Sequence, residues 1–210
     1  MILVPLAGAT LGWPFRGARA QREAVAAIEK AGGTMRYDFE SEWINSGPRP
    51  DRSEWFQKWL DDHIGVEYLC HVVGVVLPDG SLDFTLGYVA QLTHLEELKV
   101  RRDDTPDDVG LNVIDAELIH LQGLSGLRVL DLSSTEVSDV GLMHLSRLTG
   151  LQSLDLSGTR VTNAGLTHLK GLTSLRTLDL LGTTANDFGA QEIRRAIPGL
   201  RVRYELIRAQ

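Results

Sequence analysis

LRVLDLSSTEVSDVGLMHL from Leu127, LQSLDLSGTRVTNAGLTHL from Leu151 and LRTLDLLGTTANDFGAQEI from Leu175 are three copies of one phrase set 24 residues apart. A fixed period in the twenties marks a solenoid, in which each unit buries its apolar side only by stacking on its neighbours. In LxxLxL the leucines point inward from a short parallel strand and the residues between them alternate outward. In the second half of the phrase the apolar residues fall at steps of three, Leu142, Leu145, Leu148 and then Leu166, Leu169, Leu172. That spacing turns one side of a helical segment toward the same interior. The fold class that follows is an α/β solenoid with parallel strands on the concave face and helices on the convex face.

Working outward, VVGVVL at 72–77 and LEELKV at 95–100 align backward as earlier strands, and Val202 and Tyr204 continue the period as a closing strand. The array therefore has about five units plus a closing strand, over residues 72–206. One unit is longer, with eight extra residues within RRDDTPDDVGLNVI. Ahead of the array, residues 17–31 form an amphipathic helix with Ala24, Val25 and Ile28 on one stripe, stopped by Gly32 and Gly33. TMRYDFE (Thr34–Glu40) alternates with period two and predicts a half-buried strand. Asp51 and Glu54 are spaced as a capping box for a helix through about His63, with Trp55, Phe56 and Trp59 on its apolar side. Residues 17–71 thus read as the N-terminal cap that hides the open end of the solenoid.

The chain has 210 residues, a net charge of -7 and 43% hydrophobic residues. Such a balance argues against nucleic acid, whose phosphates call for a basic face. The single cysteine, Cys70, cannot form an internal disulfide, and no Cys/His spacing for structural zinc occurs. Met1–Phe15 carries no charged side chain and is followed by Arg16, Arg19 and Arg22. Residues 1–16 are either an apolar leader or the trailing end of a membrane anchor. In the second case the arginines hold the remainder on the cytoplasmic side; in the first the chain is cytoplasmic.

On the repeat phrase the chain resembles the leucine-rich repeats, in the strand–helix variety similar to ribonuclease-inhibitor-like and GALA-type repeats. LxxLDLSGTxVTxAGLxHLxxL is similar to the phrase of bacterial leucine-rich-repeat proteins abundant in planctomycetes. AQREAVAAIEKAGGTMRYDFE and the tryptophan-bearing segment before VVGVVL resemble the leader region of that group, which often follows an apolar anchor ending near LGW and a run of arginines. Here Leu11, Gly12 and Trp13 precede Arg16, Arg19 and Arg22. The resemblance implies a membrane tether and a binding role; the apolar stretch here is shorter than a full anchor.

The outward positions of the strands line up as Val76, Lys99, Asp131, Asp155, Asp179 and Arg203. Three aspartates abreast repel one another, and Lys99 and Arg203 stand at the two ends of the file to relieve them. With Ser133 and Ser157 they form a candidate binding surface for a protein partner with a basic segment; the competing reading is a solvated face repeated by duplication. Asp103, Asp104, Asp107 and Asp108 in the 101–112 loop are a second candidate contact, without the ligand order of a calcium loop. His120, His144 and His168 recur with the same period, but on the convex side their rings are poorly placed to converge on a metal.

Asp139, Asn163 and Asp187 are expected to cap the helices that follow them. Thr135, Thr159 and Thr183 are expected to bond the backbone of the adjacent turn. Gly141, Gly165 and Gly189 stand where a side chain would crowd the neighbouring coil. No catalytic constellation and no cofactor motif is present: GxSxG, a phosphate loop, HExxH and CxxC are all missing. The expected function is protein–protein recognition rather than catalysis. A substrate receptor or adaptor of a protein-degradation complex and a structural scaffold are the alternatives.

Overall fold

Leu98, Leu130, Leu154, Leu178 and Val202 are register partners on successive strands, and all are buried. The computed structural model that shows this ladder describes residues 12–38, 71–78, 82–101 and 115–205. In chain order its elements are α1 (Gly12–Lys30), β1 (Thr34–Tyr37), β2 (Val72–Pro78), α2 (Leu82–Val89), β3 (Glu97–Arg101), a 3-10 helix (Asp115–Gly123), β4 (Val129–Asp131), α3 (Asp139–Leu145), β5 (Ser153–Asp155), a second 3-10 helix (Gly165–Leu169), β6 (Thr177–Asp179), α4 (Asp187–Ala196) and β7 (Arg201–Arg203). The strands make one seven-stranded sheet in chain order. β1 is antiparallel to β2, and every later pair is parallel. The architecture is a leucine-rich-repeat solenoid.

Its interior is one continuous apolar spine. Leu127, Leu130, Leu132, Val137, Leu142, Leu145 and Leu148 of one unit, and their counterparts 24 residues on, are all buried. Each such leucine contributes roughly 1.5–3 kcal/mol relative to an exposed one. Two of the helical segments are 3-10 rather than α. Both turn an i, i+3 leucine pair inward, Leu118–Leu121 and Leu166–Leu169, as α3 does with Leu142–Leu145, so this spacing is served by either helix type.

α1 starts at Gly12, earlier than expected, and buries Ala24, Val25 and Ile28. It ends in a glycine cap: Gly32 has φ +79°, and Gly33 donates to the Ile28 carbonyl at 2.8 Å. A side chain at Gly33 would lie 2.6 Å from Ile28 Cγ2 and 3.2 Å from the Val76 carbonyl. Close approach of helix to sheet at that point therefore requires glycine. β1 ends at Tyr37. The predicted Asp51–His63 helix, Cys70 and the insertion at 102–114 lie outside the described residues.

The expected capping roles of Asp139, Asn163 and Asp187 are corrected by the structure. Ser138 and Asn186 cap α3 and α4, accepting from the Val140 and Phe188 amides. Ala164 precedes the second 3-10 helix and offers no side-chain cap. The acidic and amide side chains instead reach forward into the next unit. Asp115 accepts from the Ser138 amide at 2.8 Å and its hydroxyl at 2.5 Å. Asp139 accepts from the Thr162 amide and hydroxyl at 2.8 and 2.6 Å. Asn163 accepts from the Asn186 amide at 3.0 Å and donates to the Asn186 side chain at 2.9 Å.

The recurring glycines make room for this clamp. A Cβ on Gly141 would collide with Asp115 Oδ1, one on Gly165 with Asp139 Oδ1, and one on Gly189 with Asn163 Oδ1. Thr135, Thr159 and Thr183 are also corrected. Their hydroxyls donate to Leu132, Leu156 and Leu180, three residues back in their own turn, at 2.7, 2.6 and 2.7 Å. A short β-branched side chain reaches its own turn more readily than a neighbouring one.

The clamp ends in the last unit. Asp187 there accepts from the Tyr204 hydroxyl at 2.6 Å, beyond β7. Arg194 lies over the Tyr204 ring at 5.4 Å and donates to the Val202 carbonyl at 2.9 Å.

Gly165→Ala should destabilise the array by about 1–3 kcal/mol through overpacking against Asp139. Asp139→Ala should cost about 1–3 kcal/mol by orphaning the Thr162 donors. Because both changes break one contact, the double variant should lose clearly less than the sum in urea unfolding; additive losses would separate the glycine from the clamp. Ser134 holds φ +59°, where Gly158 and Gly182 have +67° and +69° one and two units later. Ser134→Gly should raise the unfolding midpoint by an equivalent of about 1 kcal/mol, by relieving left-handed strain.

Candidate functional site

The concave face is built from side chains that alternate outward from strands only three to seven residues long. The register brings the expected file together: Val76 beside Lys99, Lys99 beside Asp131, then Asp155, Asp179 and Arg203 in turn. Asp131, Asp155 and Asp179 are half-buried. Their mutual repulsion is offset locally. Each Oδ1 accepts a backbone amide two residues ahead, from Ser133 at 3.0 Å, Ser157 at 2.9 Å and Leu181 at 3.1 Å. The Ser157 hydroxyl adds a bond of 2.6 Å to Asp155. These are Asx-type turns that bend the chain out of each strand, so the aspartates have a structural task.

At one end of the file Arg203 meets Asp179 Oδ2 at 2.7 Å, as expected. At the other end the expectation fails: Lys99 turns to Glu97 at 2.6 Å. Among the described residues, Oδ2 of Asp131 and of Asp155 receives neither a hydrogen bond nor an ion pair. The file therefore presents two adjacent carboxylate oxygens, while Asp179 is neutralised.

A second outward column was not foreseen. Gly74, Glu97, Val129, Ser153, Thr177 and Arg201 are successive register partners. It is neutral beside the aspartates, and the Thr177 hydroxyl bonds Ser153 Oγ at 2.8 Å. At its N-terminal end Arg36 crosses β2 and reaches Glu97 Oε2 at 2.9 Å. Gly74 permits the crossing, since a Cβ there would sit 3.2 Å from Arg36 Nε. A glycine inside a strand is the sequence signal for such an approach; its partner could not be named without the antiparallel pairing of β1. Glu97 is pulled below the ordinary carboxylate range. The hydrogen bond from Lys99 is the largest cause, with the Lys99 and Arg36 charges adding to it and partial burial opposing it.

The remaining candidates are dispersed. His120 is exposed, while His144 and His168 are half-buried on the helical side, and His144 Nδ1 meets Gln122 Nε2 at 3.0 Å. Among the described residues no three histidine, cysteine or carboxylate side chains gather as metal ligands would. Asp103, Asp104, Asp107 and Asp108 lie outside the described residues.

No protein-family model and no curated protein matches the sequence. Solved structures do show likeness. An internalin (inlF) from Listeria monocytogenes is similar over 59% of this chain and 32% of its own, at 21% identity and a TM-score of 0.43. An internalin C2 from the same organism is similar over 58% of this chain and 49% of its own, at 22% identity and a TM-score of 0.41. The leucine-rich-repeat ectodomain of the receptor kinase SOBIR1 from Arabidopsis thaliana matches 89% of this chain and 91% of its own, at 16% identity and a TM-score of 0.46. The chain thus spans about a third and about half of the length of the two internalins.

The Glu97 cluster sets a pH dependence. Its pKa is lowered in the folded chain, so its stabilisation is present above the ordinary value of 4.5 and is lost as pH falls through the lowered one. Glu97→Gln should therefore flatten the acid side of the stability profile below about pH 4.5, read as urea midpoints in steps of pH. An acid limb as steep as that of the wild type would remove Glu97 from the account.

Proposed function

We propose that this chain is a protein-recognition module that takes a partner with a basic segment on its concave face. The carrying observation is the pair of unengaged Oδ2 atoms on Asp131 and Asp155, held in adjacent register by turns that fix their other oxygens. A lysine or arginine laid across these strands would bind charge to charge, and Val129 and the Ser153–Thr177 pair beside it leave room for a side-chain stem. Ser133, Ser157, Lys99, Asp179 and Arg203 form the rim of this surface, and the 101–112 loop adds a second contact. The work is binding without catalysis.

The domain organisation belongs to the same proposal: a cap over 17–71, a recognition array over 72–206 and a tether in 1–16 that keeps the array on the cytoplasmic side of a membrane. Among the described residues no helix is long and apolar enough to cross a membrane, so the tether rests on the apolar run before Arg16, Arg19 and Arg22. The relation to planctomycete-type repeats, of the ribonuclease-inhibitor-like and GALA kind, rests on the repeat phrase and completes this reading.

The test is capture of partner from the native membrane fraction by immobilised wild type, Asp155→Asn and Asp155→Lys. The asparagine keeps an oxygen for the Ser157 amide while removing the charge. Capture at low salt should fall about fivefold with asparagine and further with lysine, and the difference should shrink as salt is raised. Equal capture by all three would sink the acidic-surface reading.

A further inference from the structure

We propose that Asp38, His71 and His94 form a proton-operated latch between the N-terminal cap strand and the first units of the array. The rings of His71 and His94 stack with centroids 3.8 Å apart and planes inclined by 36°. Asp38 directly follows β1, and its carboxylate holds His71 at two points, accepting from the backbone amide at 3.1 Å and meeting Nδ1 at 3.2 Å. The Asp38 amide returns a bond to the His71 carbonyl at 3.0 Å. His94 sits in the turn before β3, with Nδ1 3.3 Å from the Thr93 hydroxyl. Three chain segments that enter the sheet at β1, β2 and β3 therefore meet in one stack.

The arrangement tolerates one charge but not two. A single imidazolium facing a neutral ring is attracted to its π face, and Asp38 is placed to neutralise His71. A second proton on His94 sets like charges 3.8 Å apart, with no carboxylate among the described residues paired to the second ring. Among the described residues the nearby charges are otherwise occupied: Glu96 faces Arg128 at 3.7 Å, and Arg36 and Lys99 both engage Glu97. Charging both rings parts them and frees the His94 turn. That turn leads directly to Glu96, whose amide bonds the Val73 carbonyl at 2.9 Å and starts the β2–β3 pairing.

The experiment is NMR on the full chain at about pH 7.5 and about pH 5.5, a window that spans histidine titration. Two signals are read: the through-space contact between the His71 and His94 rings, and the hydrogen-exchange protection factor of the Glu96 amide. In the wild type the ring contact should vanish at the lower pH, and the protection factor should fall about fivefold, the lower end for two charges at this separation in a half-exposed site. His94→Gln and His94→Phe, the second retaining an uncharged ring, should each keep a protection factor that does not change with pH. A ring contact that persists in the wild type at about pH 5.5, or the same fall in either variant, overturns the latch.

Discussion

Three successive junctions of this array are each locked by one short side chain seated where a glycine leaves no Cβ. Asp115 lies under Gly141, Asp139 under Gly165 and Asn163 under Gly189, and each bonds the turn 23 residues ahead. The leucine spine supplies most of the burial, but apolar contact has no direction and tolerates sliding. The clamp is directional. It ties the start of one helical segment to the start of the next at fixed distances, and so sets the spacing on the convex side as the strand ladder sets it on the concave side. It also has a defined end, because Asp187 is taken by Tyr204 rather than by another repeat.

The strand side follows the same economy. Asp131, Asp155 and Asp179 are turn-forming residues before they are a charged surface, each spending Oδ1 on the backbone two residues ahead. Because the turn recurs, so does the charge. What the turns leave over is an Oδ2 on Asp131 and one on Asp155. Arg203 removes Asp179 from that set, and Glu97 removes Lys99. The effective surface is thus smaller than the file of outward residues, and its most acidic point lies at β4 and β5.

At the N-terminal end the cap contributes more than cover. β1 runs against the direction of the array and sends Arg36 over Gly74 to Glu97, while Asp38 just beyond it grips His71. Among the described residues this end carries ionisable contacts of its own, Arg36 and Lys99 on Glu97 and Asp38 on His71. They are half-exposed pairs, each worth little alone.

The periodicity of the sequence determined the solenoid, the inward leucines, the parallel register and the outward file, because all of these follow from an equivalent residue returning every 24 positions. It also marked Gly141, Gly165 and Gly189 as places of crowding. Tertiary structure alone decided what fills those places, since Asp139 has a cap-like sequence position whichever way its carboxylate turns, and only the approach of the next unit offers it two donors at once. The same holds for Lys99, placed next to Asp131 by register yet turned to Glu97, and for Arg36, whose target depends on an antiparallel strand that no repeat announces. Period and polarity are properties of the chain, whereas a charged side chain's choice among several partners within reach is settled by geometry in three dimensions.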